Sequence, residues 1–364
     1  MLESRAISNY ETEAVAWVEP CYTPEQVNTA ARILVNEPFF SPLYDDALSI
    51  VNNWRVSHNY PLNTFQMNLR NASRQLDDDA IVAQRTKRLA SIRTKLEIHD
   101  SMKLTQMQDI GGCRSVLPSV TKVEKLFRYY TETSQIKHEL AKTDNYIAAP
   151  KRSGYRGIHL VYRYYSDKKS VYNGMKIEMQ LRTRYQHAWA TAVETVGTFV
   201  RQALKSSVGE ETWLRFFALT SSEIALKERR APVPGTPDDR VQLREQIAYL
   251  AKELDVIQRL TSYNRALRAF EGDEIKKAHY YLMELKPKES RIYITPYSKG
   301  QLSIASDAYA RAEVALSDEG GDAVLVSVES VAALRRAYPN YFADTTVFLD
   351  LLRPLIQYGK GAGE

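Results

Sequence analysis

Two carboxylates and a band of cations carry the chemistry that this sequence could perform. Asp109 stands at the start of the apolar run Asp109–Leu117, and Glu178 interrupts a second β-rich run, Met175–Leu181. A carboxylate is expensive to bury without a cation or metal beside it. Cations stand close by in the chain: Arg114 follows Asp109 within the same run, and Arg182 follows Glu178. Upstream, Arg85, Lys87, Arg88, Arg93 and Lys95 crowd one short segment, where like charges repel unless water or an anion meets them. Two strand-borne acids among cations suit a Mg²⁺–polyphosphate site. Mg²⁺ takes a few carboxylates plus phosphate oxygens, while Arg and Lys offset the remaining negative charge. The loop Lys151-Arg152-Ser153-Gly154-Tyr155-Arg156-Gly157 adds three cations, two glycines and one aromatic face. An aromatic among cations suits a stacked base with phosphates nearby. Plainer readings stand beside these: Asp109 as the partner of a local arginine, Glu178 as a solvent-facing strand residue, Tyr155 as cover for the sheet, His159 as a satisfied core histidine. His187, Trp189 and Cys113 read as packing residues.

The elements that must position these groups follow from pattern. Thr23-Pro24 predicts a helix start, with Thr23 as cap, and a second helix is expected over 40–60. Asp77 to Asp79 fit a helix N-terminus, and residues 81–98 read as helical, with basic residues on more than one side. Ser119 starts a helix over 119–132. Two β-rich runs, Ile158–Tyr165 and Met175–Leu181, are joined by a segment with an Asn-Gly turn, and a helix follows over 184–204. Ala-Pro-Val-Pro-Gly-Thr-Pro near 231–237 marks a boundary. Beyond it, Leu243, Ile247, Leu250, Leu254, Ile257 and Leu260 form the apolar stripe of one long helix. Strands are expected at Tyr280–Leu285, Arg291–Tyr297 and Ala323–Val328, with a helix over 303–316. The fold class is α+β: a mixed central sheet flanked by helices, plus a small C-terminal α/β unit. The divisions are a helical extension (1–80), the chemistry-bearing domain (81–230), a linker and long helix (231–270) and the C-terminal unit (271–364).

Composition bounds the rest. The net charge of +5 is unevenly spread: residues 1–80 carry −6, residues 81–200 carry +11, and residues 201–364 are neutral. A positive central block favours polyphosphate or nucleic acid. No apolar run is long enough to span a membrane, and the acidic N-terminus does not look like a secretory signal, so a cytoplasmic location is expected. Cys21 and Cys113 are expected as free thiols. His279 is the only Cys or His after residue 200, so no structural zinc is expected there.

Four blocks resemble the synthetase domain of RelA/SpoT proteins, in the right order between residues 85 and 190. Arg85-x-Lys87-x3-Ser91-Ile92-x2-Lys95 resembles the ATP-binding segment. Asp109-Ile110-Gly111-Gly112-Cys113-Arg114 resembles the metal-binding strand, and Pro150-Lys151 through His159 the acceptor loop. Glu178-Met179-Gln180-Leu181-Arg182-Thr183 with His187-Ala188-Trp189-Ala190 resembles the catalytic strand and following helix. The resemblance implies that Arg85, Lys87, Lys95 and Arg114 bind ATP, and that Asp109 and Glu178 hold Mg²⁺. Glu178 would also help to deprotonate the attacking 3′-hydroxyl. Tyr155 would stack on the acceptor base, with Lys151, Arg152, His159, Gln180 and Arg182 orienting acceptor and phosphates.

Two acceptors fit, a free guanine or adenine nucleotide or the 3′-terminal adenosine of tRNA, and the second is preferred. The cations around Arg152, Arg156, Arg163, Lys168 and Lys169 exceed the needs of one nucleotide. Residues 1–80, with His58 as their one histidine, cannot supply the His/Asp hydrolase site. The C-terminal unit resembles the pseudo-zinc-finger antitoxin of fused, CapRel-type toxic alarmone synthetases in phage defence, where Tyr338-Pro339-Asn340-Tyr341 matches a YxxY motif that blocks the ATP site. That resemblance implies an autoinhibited monomer freed by a phage capsid protein. A nucleotide-binding sensor without turnover is the remaining alternative.

Overall fold

Thr23 sets the first helix by a reciprocal cap. Its hydroxyl accepts from the Gln26 N–H, the Gln26 side chain accepts from the Thr23 N–H, and Pro24 takes the first helical position, where no N–H is needed. In the computed structural model this helix, α1, spans Pro24–Asn36. The structure describes residues 17–37, 41–203, 210–266, 278–286, 291–317, 321–327, 336, 339 and 344–358. Helix α2 (Pro42–Ser57) starts at the Ser41 cap, and α3 (Asn59–Arg74) follows at once.

Residues 81–98 differ from the expected single helix. Ile81–Thr86 is a strand, β1, and only Leu89–Ile98 is helical, as α4. A long-range partner decides this: β1 pairs antiparallel with β2 (Gly111–Leu117) along its whole length, and such pairing outweighs local preference. The acids before it therefore cap no helix. Asp77 instead meets Lys122 Nζ at 3.3 Å and Arg184 Nη2 at 3.6 Å. Asp109 likewise lies two residues before β2 rather than within it.

The remaining elements assemble around one mixed sheet. After β2 come α5 (Val120–Arg128, capped by Ser119), β3 (Glu139–Asn145), β4 (Ile158–Arg163) and β5 (Lys176–Thr183). Helices α6 (Arg184–Ala203) and α7 (Glu210–Lys227) follow. The expected long helix is two, α8 (Arg240–Glu253) and α9 (Val256–Ala266). Asp255 between them has φ of 49°, so the chain turns there while Leu243, Ile247, Leu254 and Leu260 still enter one core. Strands β6 (Tyr280–Lys286) and β7 (Arg291–Tyr297), helix α10 (Leu302–Ser317), strand β8 (Asp322–Ser327) and helix α11 (Thr346–Tyr358) complete the described chain.

The sheet order is β3-β4-β5-β2-β1-β8-β6-β7. The β2–β5 pair is parallel and the others are antiparallel, which makes an α+β fold with a mixed sheet. The C-terminal strands extend the same sheet: β8 joins β1 through Gln84↔Ser327 and Arg85↔Val326. Alternation across β2, β4 and β5 splits the sheet into two faces. Cys113, Leu117, Leu160, Tyr162, Ile177, Met179 and Leu181 pack against Leu62, Phe65 and Leu69 of α3 and Val123 and Leu126 of α5. The opposite face carries Arg85, Arg114, His159, Glu178, Gln180 and Arg182. Cys21 is exposed and Cys113 buried, both as free thiols. No described helix is long and apolar enough to cross a membrane.

His58, at the α2–α3 junction, is buried, and its Nδ1–H donates to the Trp54 carbonyl at 2.7 Å. Burial holds its pKa down at about 4. The unfolded chain takes up the proton first, so stability is full above pH ~6.5 and falls as the pH drops towards 4. This one group is expected to remove about 3 kcal/mol over that window. Urea unfolding of wild type and His58→Gln at pH 7 and pH 4.5 measures it: the pH dependence should flatten in the variant, and equal dependence in both would exclude His58 as its source.

Candidate active site

The cross-strand register assembles the site. Arg85, Gly112 and Glu178 lie side by side on β1, β2 and β5, and Ala83, Arg114, Gln180 and His159 form the adjacent row. Gly112 has no side chain, so the space between Arg85 and Glu178 stays open. Arg85, Asp109, Gly112, Arg114, Glu178 and Gln180 line a cleft of about 40 Å³ there. Ligand sites usually enclose roughly 300–1,000 Å³. The cleft is therefore nearly closed in this conformation.

Both acids are held ionised. Asp109 Oδ2 meets Lys87 Nζ at 2.5 Å, and Oδ1 meets Lys95 Nζ at 3.3 Å. Burial alone would raise its pKa, but the two ammonium groups outweigh burial and hold it below the usual carboxylate range. Glu178 Oε1 accepts from His159 Nδ1 at 2.8 Å and Oε2 from Gln180 Nε2 at 2.6 Å. Burial and the nearby Asp109 charge push its pKa up, yet the donors prevail and it too lies below its normal value. Gln180 Oε1 in turn accepts from Arg114 at 3.4 Å and Arg182 at 3.1 Å. Among the described residues no cluster of three or more His, Cys, Asp or Glu could cage a metal. Two ionised carboxylates on one cleft, ringed by cations, fit a Mg²⁺ ion that arrives with phosphate oxygens.

The loop 151–157 is pinned from beneath. Gly154 has φ of 92°, and a Cβ there would lie 2.9 Å from Trp189 Cζ2 and 3.0 Å from the Phe217 carbonyl. Arg156 is a strut, contrary to its reading as a nucleic-acid contact. It is 3% exposed and donates to Ser221 Oγ and to the carbonyls of Ile147 and Ala231. Arg163 pairs with Glu139, and Lys169 with Glu19. Lys151 and Arg152 stay exposed. Lys151 Nζ lies 4.4 Å from the Tyr146 ring centre, and Arg182 lies 5.0 Å from that of Tyr155. Tyr146 was not singled out by sequence; a lone tyrosine after a strand carries no signal until its ring meets Tyr155 and His159.

Two groups from the C-terminal region reach this neighbourhood. Glu313 of α10 accepts from the Leu89 N–H at the start of α4, at 2.7 Å, and pairs with Arg55 of α2 at 2.8 Å. The Arg336 carbonyl lies 3.3 Å from His187 Nε2, and His187 Nδ1 lies 3.4 Å from Arg114 Nη1. Burial and the charges of Arg114 and Arg182 keep His187 neutral, with its pKa well below the usual value. His187 is thus a buried packing residue that also touches a cation of the cleft. Tyr338 and Tyr341 lie outside the described residues.

Residues 84–197 match the family model described as "Region found in RelA / SpoT proteins". The match is confined to this segment. Similar solved structures include the small alarmone synthetase 1 from Bacillus subtilis bound to its product pppGpp. That pair shares 24% identity over 48% of this chain and 91% of the other, with a TM-score of 0.41. A GTP pyrophosphokinase family protein from Streptococcus pneumoniae shares 22% identity over 52% of this chain and 91% of its own, with a TM-score of 0.40. No curated protein matches the chain. The matched segment contains the four blocks and ends within α6, before the C-terminal strands that extend its sheet.

The two glycines should respond differently to a methyl group. In Gly112→Ala the new Cβ meets only backbone at 3.9 Å or more, so stability should hold or rise by up to ~1 kcal/mol. Gly154→Ala should lose at least about 1–2 kcal/mol, from its left-handed backbone and the contact with Trp189. Chemical denaturation of both variants measures this, and equal effects would contradict the placement of the loop.

Proposed function

We propose that the RelA/SpoT region transfers pyrophosphate from ATP to a ribose 3′-hydroxyl, and that the acceptor is the terminal adenosine of tRNA. The observation that carries the reaction is the shared cleft of Asp109 and Glu178, bordered by Arg85 and Arg114, with Lys87 and Lys95 on the Asp109 carboxylate. The acceptor oxygen bonds to the β-phosphorus of ATP, the bond from that phosphorus to the α,β-bridging oxygen breaks, and AMP leaves with that oxygen. The hydroxyl proton passes to Glu178 and on to water. Lys87, Lys95, Arg85 and Arg114 hold the triphosphate in line, which matters more in such transfers than covalent help. Mg²⁺ bound with the nucleotide at Asp109 and Glu178 would neutralise phosphate charge.

A free guanine or adenine nucleotide is the second reading. It is favoured by the burial of Arg156, which removes that residue from the cations available to RNA. Incubation with γ-labelled ATP and either tRNA or GDP separates the two: label on tRNA supports the first, and label on nucleotide the second. Label on neither would leave a nucleotide-binding sensor. Glu178→Gln should lower transfer by about 10²–10⁴-fold, and undiminished turnover would remove Glu178 from the reaction.

We further propose that the C-terminal unit is an antitoxin of the pseudo-zinc-finger kind, holding the donor side shut until a phage capsid protein draws it away. Supporting this are the small cleft, the Glu313 carboxylate at the start of the ATP-binding helix, and the Arg336 carbonyl on His187. Such a trigger must bind the open state better than the closed one. Glu313→Gln keeps the side chain's shape and removes the charge that Arg55 and the α4 N-terminus hold. It should raise transfer by the purified chain, as should the Tyr338→Ala/Tyr341→Ala double variant. Folded variants with wild-type rates, checked by thermal melting, would argue for a permanently fixed C-terminal unit.

A further inference from the structure

A second pocket opens between α7, α8 and α11, and none of its residues lines the cleft of Asp109 and Glu178. It holds about 280 Å³ and has apolar walls, Ile224, Phe348, Leu351, Leu352 and Leu355. Phe348 and Leu352 are buried in the helical core, whereas Leu351 and Leu355 are only partly covered. The rim is charged: Lys227, Arg240 and Arg244 border the pocket beside Glu223. Glu223 is buried and fixes both arginines. Arg240 donates to its two oxygens at 3.2 and 2.9 Å, and Arg244 to Oε1 at 3.1 and 2.8 Å. One carboxylate does not balance three cations. Arg240 uses Nε and Nη2 on Glu223, and its Nη1 has no partner among the described residues. Lys227 Nζ lies 4.6 Å from the Tyr185 ring centre and meets no carboxylate among the described residues. The other acid on the rim, Asp350, is held by Arg353 at 2.7 Å.

We propose that this pocket binds a small amphipathic anion, an aliphatic carboxylate whose chain lies on Phe348, Leu351 and Leu355 and whose head meets Lys227 and Arg240. Size and charge together select this class. The volume lies just below the range of roughly 300–1,000 Å³ that drug-sized ligands occupy, so the occupant is a short chain and not a folded partner. A purely polar anion would leave the apolar walls wet, and a neutral hydrocarbon would leave the surplus positive charge unmet. The bound chain would bridge α7 and α8 to α11, the last described helix, and fasten it there. This binding does not depend on the pyrophosphotransfer reading.

Calorimetric titration of the full chain with sodium decanoate tests it, with thermal melting alongside. Decanoate should bind at one site per chain and raise the melting temperature as its concentration rises. Each methylene added between hexanoate and decanoate should tighten binding by up to about fourfold. Decanol has the same chain without the charge and should bind at least about tenfold more weakly, because hydrogen bonds to a charged group are lost. Lys227→Gln/Arg240→Gln removes both head-group donors and leaves Arg244 to hold Glu223. It should weaken decanoate by about tenfold or more. If that variant melts early, Lys227→Gln alone decides, with an expected loss of about threefold or more. An absence of saturable decanoate binding would overturn the proposal, as would binding at several equal sites. It would fall equally if decanol bound as tightly as decanoate, or if a folded variant kept the wild-type affinity.

Discussion

Keeping two partly buried carboxylates ionised is the constraint on which the rest of this molecule depends. Each would take up a proton more readily if left unpartnered in its cleft. Asp109 is held by the ammonium groups of Lys87 and Lys95, and Glu178 by His159 and Gln180. Those partners come from four places in the chain: the residue after β1 and helix α4 on one side, β4 and β5 on the other. The sheet brings them together because its pleat sends Arg85, Arg114, Gln180 and Glu178 to one face while Cys113, Met179 and Leu181 go to the core. Low pKa values suit this site. A carboxylate that stays charged holds cations and orients a hydroxyl, and in the proposed pyrophosphate transfer such alignment is most of the work.

The same logic extends across the seam to the C-terminal strands. Arg55 and Glu313 are both almost fully buried, and a buried charge left without its partner is strongly destabilising. Glu313 also fills the N-terminus of α4, a place where backbone N–H groups favour an anion. A carboxylate from one part of the chain thus sits at the head of the helix that carries Lys95. Under the proposed reaction a triphosphate needs its anion seats free, so an internal acid in this position is what the proposed autoinhibition would require. The pairing of β8 with β1 sets the C-terminal strands beside the strand that bears Arg85.

Much of this was legible in the chain. The Thr23 and Ser119 caps, the strands β4 to β8 and α10 follow from local pattern, because capping and alternation are short-range. The site residues were legible for a different reason. Carboxylates within apolar runs, and cations crowded without acids, are costly arrangements that ask for an explanation. Strand β1 was not legible, since its partner lies some way along the chain. Nor was the break at Asp255, where the apolar stripe continues through the turn. Arg156 misled because its charge is visible in sequence and its burial is not.

Taken alone, the sequence determined which groups could do chemistry and the order in which they occur, because residue type and spacing set charge, hydrogen-bonding capacity and periodicity. Only the tertiary structure decided which cations reach the cleft and which are struts, since that depends on what packs above each one. It also brought Arg182, Tyr155, His159 and Glu178 into hydrogen-bonding contact, which exists only once the loop after β3 and the strands β4 and β5 lie side by side. The physical reason is the same in both cases: intrinsic chemistry belongs to residues, whereas exposure and partnership belong to pairs of segments far apart in the chain.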